Sequence, residues 1–353
     1  MTNHREAWSL VQDLHQPRPA IFWIDLLFTA TAGWGGFGVA LFAKSFSPIM
    51  WVACLIATCA LYRGLCFVHE ISHIRRSHLR GFETAWNVLF GVPLLMPSFV
   101  YVGVHSSHHS LATYGTDQDP EYLRFASSRW MTIVFAAHSV LIPLALLLRF
   151  LIVAPVGLVW PRLHRWLVVH ASSLSMNSRY RREASPDLTA SIRRWEAVTL
   201  LVWLASAATA THDGRGWKAL AVWYGISGCA ALCNALRTLG AHRYESTGTP
   251  LDREGQLMDS IDTPGAVWTE LWAPVGLRYH ALHHYFPGIP YHNLGTAYQR
   301  LISSLPREAA YQNLTSPSLP WSLHRLYRIG KSVQQRHQGA QVCAQPPLRS
   351  SGN

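Results

Sequence analysis

VGVHSSHHSLATYGTDQDPEY, residues Val102–Tyr122, is the stretch from which the rest of the chain is read. It carries His105, His108 and His109. Two further clusters match it: His69-Glu-Ile-Ser-His73 upstream and His280-Ala-Leu-His283-His284 far downstream. On a helix, residues three and four apart share a face, so each cluster can aim its imidazoles at one point. Eight rings from three distant segments exceed what one metal ion needs, and they point to a two-metal centre.

Composition sets the environment. Of 353 residues, 49% are hydrophobic, 14% are charged and 15 are Trp. The apolar residues collect in long blocks, the pattern of a polytopic membrane protein. Residues 1–19 are polar and amphipathic, and the first apolar block is too long for a signal core, so no cleavable signal peptide is expected. The six cysteines are Cys54, Cys59, Cys66, Cys229, Cys233 and Cys343; without a CxxC pair they read as reduced packing residues. A net charge of +11 fits loops lying against an anionic cytoplasmic leaflet better than it fits nucleic-acid binding. Tryptophan and tyrosine are enriched as interface anchors.

Taken in order, residues 20–43 form a first span, and Asp25 inside it reads as an interfacial residue near the helix end. A second span, 49–68, continues out of the membrane carrying His69 and His73. The block 84–103 is interrupted by Pro93 and Pro97. If the flanking clusters bind the same metals, the chain between them crosses an even number of times, so 84–103 is expected to be a re-entrant or interfacial hairpin. The block 130–160 contains Arg149, which is costly in lipid, and is expected to be broken or shallow. Basic residues 161–195 mark a cytoplasmic segment, and two spans follow at about 196–211 and 217–236. Residues 236–328 are soluble in character. The expected organisation is one membrane domain, 1–329, and a polar, disordered tail, 330–353.

An HxxxH and two HxxHH clusters in this order around membrane spans resemble the membrane fatty acid desaturase and hydroxylase superfamily, over roughly residues 20 to 300. The stretches HHYFPGIPYHNL and RTLGAHRY look like its bacterial members. The resemblance implies an all-α polytopic protein with four transmembrane helices, interfacial or re-entrant helices and a cytoplasmic helical cap holding a histidine-rich di-metal site. Its ligands would be His69, His73, His105, His108, His109, His280, His283 and His284, joined by His242 from the region after the last span. Asn234 could also reach the site, and His292 is expected to be structural. Neutral imidazoles suit Fe(II), and their other ring nitrogens need acceptors; Glu70, Asp117, Asp119, Asp259 and Asp262 are the acids near the clusters.

The implied cofactors are two Fe2+ ions, with O2 as co-substrate, and the implied substrate is a long-chain fatty acid or acyl lipid. The first expectation is a desaturase. A decarboxylase forming a terminal alkene and a hydroxylase are the alternatives, and a metal transporter or store is the reading from another class. The chain has no HPGG haem motif, cysteine quartet or GxGxxG loop. An external donor is therefore implied: a ferredoxin, rubredoxin or cytochrome with its reductase. The expected location is the bacterial inner membrane, with the site facing the cytoplasm. Basic residues 162–194, Arg237 and Arg243 are candidates for holding a lipid head group.

Overall fold

Ser47-Pro48 and Ser185-Pro186 open two of the longest helices in the same way. A serine hydroxyl caps a free amide of the first turn, and proline's fixed φ suits the first helical position. Ser47 accepts from Met50 N at 3.3 Å, and Ser185 from Leu188 N at 3.2 Å. The computed structural model describes residues 4–343, with side chains described through Ser332. Among the described residues there is no β-strand, only isolated bridges of His242 with Ser260 and of Asp262 with Tyr279 and Thr315.

The short α1 (His4–Val11) leads into a long antiparallel pair, α2 (Pro19–Phe42) and α3 (Pro48–His73). α4 (Phe82–Trp86) enters a hairpin, and α5 (Val104–His108) carries the second histidine cluster. α6 (Arg129–Ser139) is followed by a continuous helical run made of α7 (Ile142–Leu147), a π-helical stretch and α8 (Ala154–Val159). After α9 (Pro161–His170) comes the second long pair, α10 (Pro186–His212) and α11 (Gly216–Ala241). α12 (Arg253–Asp259), α13 (His280–Tyr285) and α14 (Tyr291–Ser304) build a cap, and α15 (Leu319–Cys343) closes the described chain.

Four runs are long and apolar enough to cross a membrane: Pro19–Phe42, Pro48–His73, Ile142–Val159 and Gly216–Ala241. The number matches expectation, but one member differs. Residues 196–211 are the apolar second half of α10, a shorter stretch that begins at Glu196 and is bounded by Arg193, Arg194 and His212. Contacts show how deep each run reaches. Away from the histidines, Lys218 Nζ donates to the Ala43 carbonyl and Arg215 lies 4.5 Å over Phe42, so α2, α10 and α11 all reach that end. The bend before α7 does not: the Val140 carbonyl accepts from Tyr224 Oη at 3.0 Å. Tyr224 lies eight residues after Gly216, about 12 Å short of that end at the α-helical rise.

The 82–103 segment also turns back. Its limbs are joined reciprocally, Asn87 Nδ2 donating to Ser98 Oγ at 2.9 Å and Ser98 N to Asn87 Oδ1 at 2.7 Å. At its tip, Trp203 and Trp223 indoles cap the Val92 and Pro93 carbonyls at 3.1 and 3.0 Å, satisfying groups that lipid could not. The hairpin lies so close to α3 that a Cβ on Gly64 would sit 1.9 Å from the Phe90 ring.

Two expectations change, for Asp25 and for the tail, and Arg149 in the bent 130–160 block gains a partner. Asp25 is not an interfacial anchor; it accepts from Arg63 Nη2 at 2.5 Å and from Tyr291 Oη at 2.9 Å, joining α2, α3 and α14. Arg149 is accommodated by pairing with the fully buried Glu196 and by donating to the Ala171 carbonyl at 2.8 Å. The tail is helical to Cys343, consistent with its Lys, Gln, Arg and Ala content, and residues 344–353 lie outside the described chain. Cys54, Cys59, Cys66, Cys229 and Cys233 are free thiols, while the Cys343 side chain lies outside the described set.

Removing one partner of a buried ion pair leaves an uncompensated charge, at a cost of about 3–5 kcal/mol. Glu196→Leu is therefore expected to lower the Tm of the purified protein sharply, and Arg149→Met/Glu196→Leu to recover most of the loss. Unchanged melting of the single variant would refute the role given to this pair.

Candidate metal centre

The two long helices that end at the centre, α3 and α11, do so with their C-termini. His73 ends α3 with His69 one turn before it, and His242 follows α11 directly. The negative ends of both helix dipoles thus face the same place, which favours a cation there. α5 and α13 supply the rest, with His109 ending α5.

The nine histidines converge. His69, His73, His105 and His283 form one group and His108, His242, His280 and His284 a second; in each, one nitrogen per ring lies within 4.8 Å of all the others. His109 joins them, its Nε2 3.1 Å from both His105 Nε2 and His283 Nε2, its ring stacked 4.3 Å from His284. In the second group, His280 Nε2 is 2.8 Å from His242 Nε2 and 3.2 Å from His284 Nε2. Two imidazoles bound at 90° to one divalent ion, with metal–nitrogen bonds of roughly 2.1 Å, place their nitrogens about 3 Å apart. The observed spacings therefore fit ligands around an ion.

The surroundings hold the rings neutral and oriented. Burial, reinforced by neighbouring histidines, pushes His105, His109, His280, His283 and His284 well below the ordinary imidazole range. Burial also lowers His242, although Asp259 opposes it. His108 is the exception: burial acts downward, but Asp119 carries it above its ordinary value. Asp119 takes His108 Nδ1 at 2.9 Å and is itself fixed by the Gly115 and Glu121 amides at 3.0 and 2.9 Å. Glu121 takes His105 Nδ1 at 2.7 Å. Tyr114 Oη lies 2.9 Å from His242 Nδ1 and donates to Asp259 at 3.0 Å. Glu70 is 3.7 Å from His69 Nδ1 and accepts the Tyr291 amide at 2.9 Å. With Nδ1 protons directed outward, Nε2 lone pairs remain to face an ion.

Asp262 has a different task. It accepts the Leu282 amide at 3.1 Å and Tyr311 Oη at 2.5 Å, holding α13 in place, and burial pushes its carboxyl up to about 7. Asp117 is not at the centre; it pairs with Arg179 at the surface. His292 accepts the Arg18 amide at 3.2 Å and is structural. Asn234 reaches Arg237 instead of a histidine. Glu121 and Tyr114 lie inside the opening motif but at no helical spacing from its histidines, so periodicity does not single them out.

Buried nitrogens without a partner test the fit. His69 Nδ1 and Nε2, His73 Nε2 and the Nδ1 atoms of His280, His283 and His284 have none among the described residues. Each unmet buried donor or acceptor costs free energy, and a cation would satisfy those that turn toward the groups. An all-imidazole set suits a divalent first-row metal, so the residues present fit two such ions.

Among protein families, the one described as fatty acid desaturase matches residues 45–316. The chain is also 39% identical, over 345 residues, to a Caulobacter vibrioides (strain NA1000 / CB15N) protein described as a ceramide hydroxylase. That similarity covers 95% of this chain and 97% of the relative.

His108→Ala and His280→Ala are each expected to lose bound metal by elemental analysis, while His212→Ala, exposed at the opposite end, keeps wild-type content. Asp119→Asn should weaken metal affinity roughly 10- to 100-fold through loss of His108 orientation. Full metal content in His108→Ala would contradict the assignment.

Proposed function

The chain belongs to the fatty acid desaturase family, and from this premise we propose that it is a di-iron hydroxylase of ceramide-type lipids. As a member of that family with a hydroxylase relative, it is a membrane oxidoreductase. The resemblance drawn from the histidine clusters puts a desaturase first, with a decarboxylase and a hydroxylase as alternatives. Near full-length similarity to a ceramide hydroxylase is the observation that moves the reading to C–OH formation.

In this reading His69, His73, His105 and His283 would hold one iron and His108, His242, His280 and His284 the other, and His109, 3.1 Å from His105 and His283, would join them. When bound, the two irons supply the oxidising power for an unactivated C–H bond. Overall, one atom of O2 enters that bond, and the other leaves as water with two protons and two electrons. The protein's own groups set the conditions. Asp119, Glu121 and Asp259 fix ring directions and balance the charge of the ions, while the buried histidines exclude bulk water from the reacting carbon.

The electrons come from a separate carrier. A cavity of about 400 Å³ beside His109 and His284, lined also by Trp8, Arg253 and Phe286, leaves these two rings reachable from the cap side, where such a carrier would approach. Trp8 is half-exposed and its ring lies 5.9 Å from Phe286. The basic residues Arg75, Arg76 and Arg80, just beyond α3, support a cytoplasmic orientation of the bacterial inner membrane.

Membranes containing the protein, given ceramide, a reducing system and 18O2, are expected to yield a ceramide carrying one labelled oxygen. A product lacking two hydrogens would mean desaturation, and a shortened terminal alkene would mean decarboxylation; either would overturn the hydroxylase reading.

A further inference from the structure

Arg237 is a charge in an expensive place. It lies on α11, five residues before His242, or about 7.5 Å along the axis from the metal-facing end. An arginine this close to a membrane surface usually reaches outward with its long stem. Arg237 does the reverse. Side chains on a helix lean toward its N-terminus, and here Nε and Nη2 donate back to Asn234 Oδ1 at 3.3 and 3.2 Å. The guanidinium is therefore turned back along α11, away from the end that carries His242, and lies half-buried against Asn234. Nη2 also donates to Thr238 Oγ1 at 2.9 Å. Nη1 has no partner among the described residues, and no carboxylate forms an ion pair with this arginine.

What faces it is the underside of the metal centre. Its electrostatic neighbours are Tyr62, Cys66, Tyr101 and Glu121. Tyr62 and Cys66 belong to the same face of α3 as His69 and His73, at intervals of four, three and four. Tyr101 contacts His105 Nδ1 at 3.0 Å. Asn234 is exposed and its Nδ2 lacks a partner among the described residues. Two donors, Arg237 Nη1 and Asn234 Nδ2, are thus available on one stretch of α11, between one and two and a half turns below His242 and at membrane depth. A charged side chain at such depth is costly unless something polar meets it.

We propose that Arg237 and Asn234 anchor the polar end of the lipid substrate, donating to the carbonyl and hydroxyl oxygens of its amide head, and so direct oxidation to a carbon near that head. This rests on the hydroxylase reading for the reaction, but the anchor itself is a matter of binding. Glu121 is an acidic neighbour that forms no ion pair with the guanidinium, and a second acid beside it is disfavoured, so a neutral acceptor suits the site better than a carboxylate or phosphate. With the head held just below His69 and His105, the carbons presented to the metals are those close to the amide, not the distal tail. The C–H bond broken and the C–O bond formed lie there, with O2 and two external electrons consumed as above.

Binding of a fluorescent ceramide to the full-length, iron-loaded protein in nanodiscs, kept free of O2 and of any electron donor, tests the anchor without turnover. Arg237→Gln is expected to weaken it roughly ten- to a hundredfold, the worth of a hydrogen bond to a charged donor, and Arg237→Lys to restore part. In the iron-loaded enzyme Arg237→Gln should raise KM more than it lowers kcat. Fragmentation mass spectrometry should place the wild-type hydroxyl near the amide. Unchanged ceramide affinity in Arg237→Gln, a wild-type hydroxyl deep in the tail, or a loss confined to free fatty acid would each overturn the proposal. Should Arg237→Gln not fold, Asn234→Ala, at an exposed position, decides on the same readouts. Wild-type protein that binds ceramide through Arg237 yet does not hydroxylate it would uphold the anchor and refute the reaction.

Discussion

Nine buried imidazoles bring their nitrogens to distances such as 2.8 and 3.1 Å, and with the ring protons on Nδ1 their Nε2 lone pairs face one another and call for a cation between them. That is the constraint on which the structure depends. Protons do not meet it easily, because burial lowers most of these rings far below their ordinary range. Two divalent ions would. Their charge would be matched by four carboxyl groups placed one hydrogen bond or a short gap behind the rings: Glu70, Asp119, Glu121 and Asp259. Burial pushes Glu121 up to about 7, so this carboxyl gains most from a cation nearby.

The fold answers that demand from below and above. From below, α3 and α11 bring their C-terminal ends to one place, and the two hairpins that turn back short of the far end widen the bundle around them. Gly64 permits the first hairpin to lie against α3. From above, the cap packs its own apolar core, in which Ala7 and Val11 of α1 join Leu282, Phe286, Leu294 and Tyr311. Asp262 ties α13 to that core. Arg182, expected among residues that could hold a head group, is instead buried and donates to the Phe99, Ser172 and Val102 carbonyls just before the second histidine cluster.

Much of this is legible in the sequence because the signals are local. The histidine spacings are helical, the apolar blocks are long, and the prolines of 84–103 announce a turn. What is not legible depends on partners distant in the chain. Asp25 reads as an interfacial residue until Arg63 and Tyr291 are beside it. Arg149 reads as a reason for a shallow element until Glu196 faces it. Glu121 is one acid among several until the loop after α5 folds back to His105. Which of the family's reactions the centre performs is set by small differences in where a carbon is held, and residue patterns carry no direct trace of that.

The central claim is that two metal ions sit among these imidazoles. X-ray absorption at the iron edge of the purified, iron-loaded protein tests it most directly. The account predicts a shell of nitrogen and oxygen ligands only, strong imidazole scattering at every iron, and an iron–iron vector. Sulfur in the first shell, from Cys66 for example, or a single mononuclear iron per chain would contradict it.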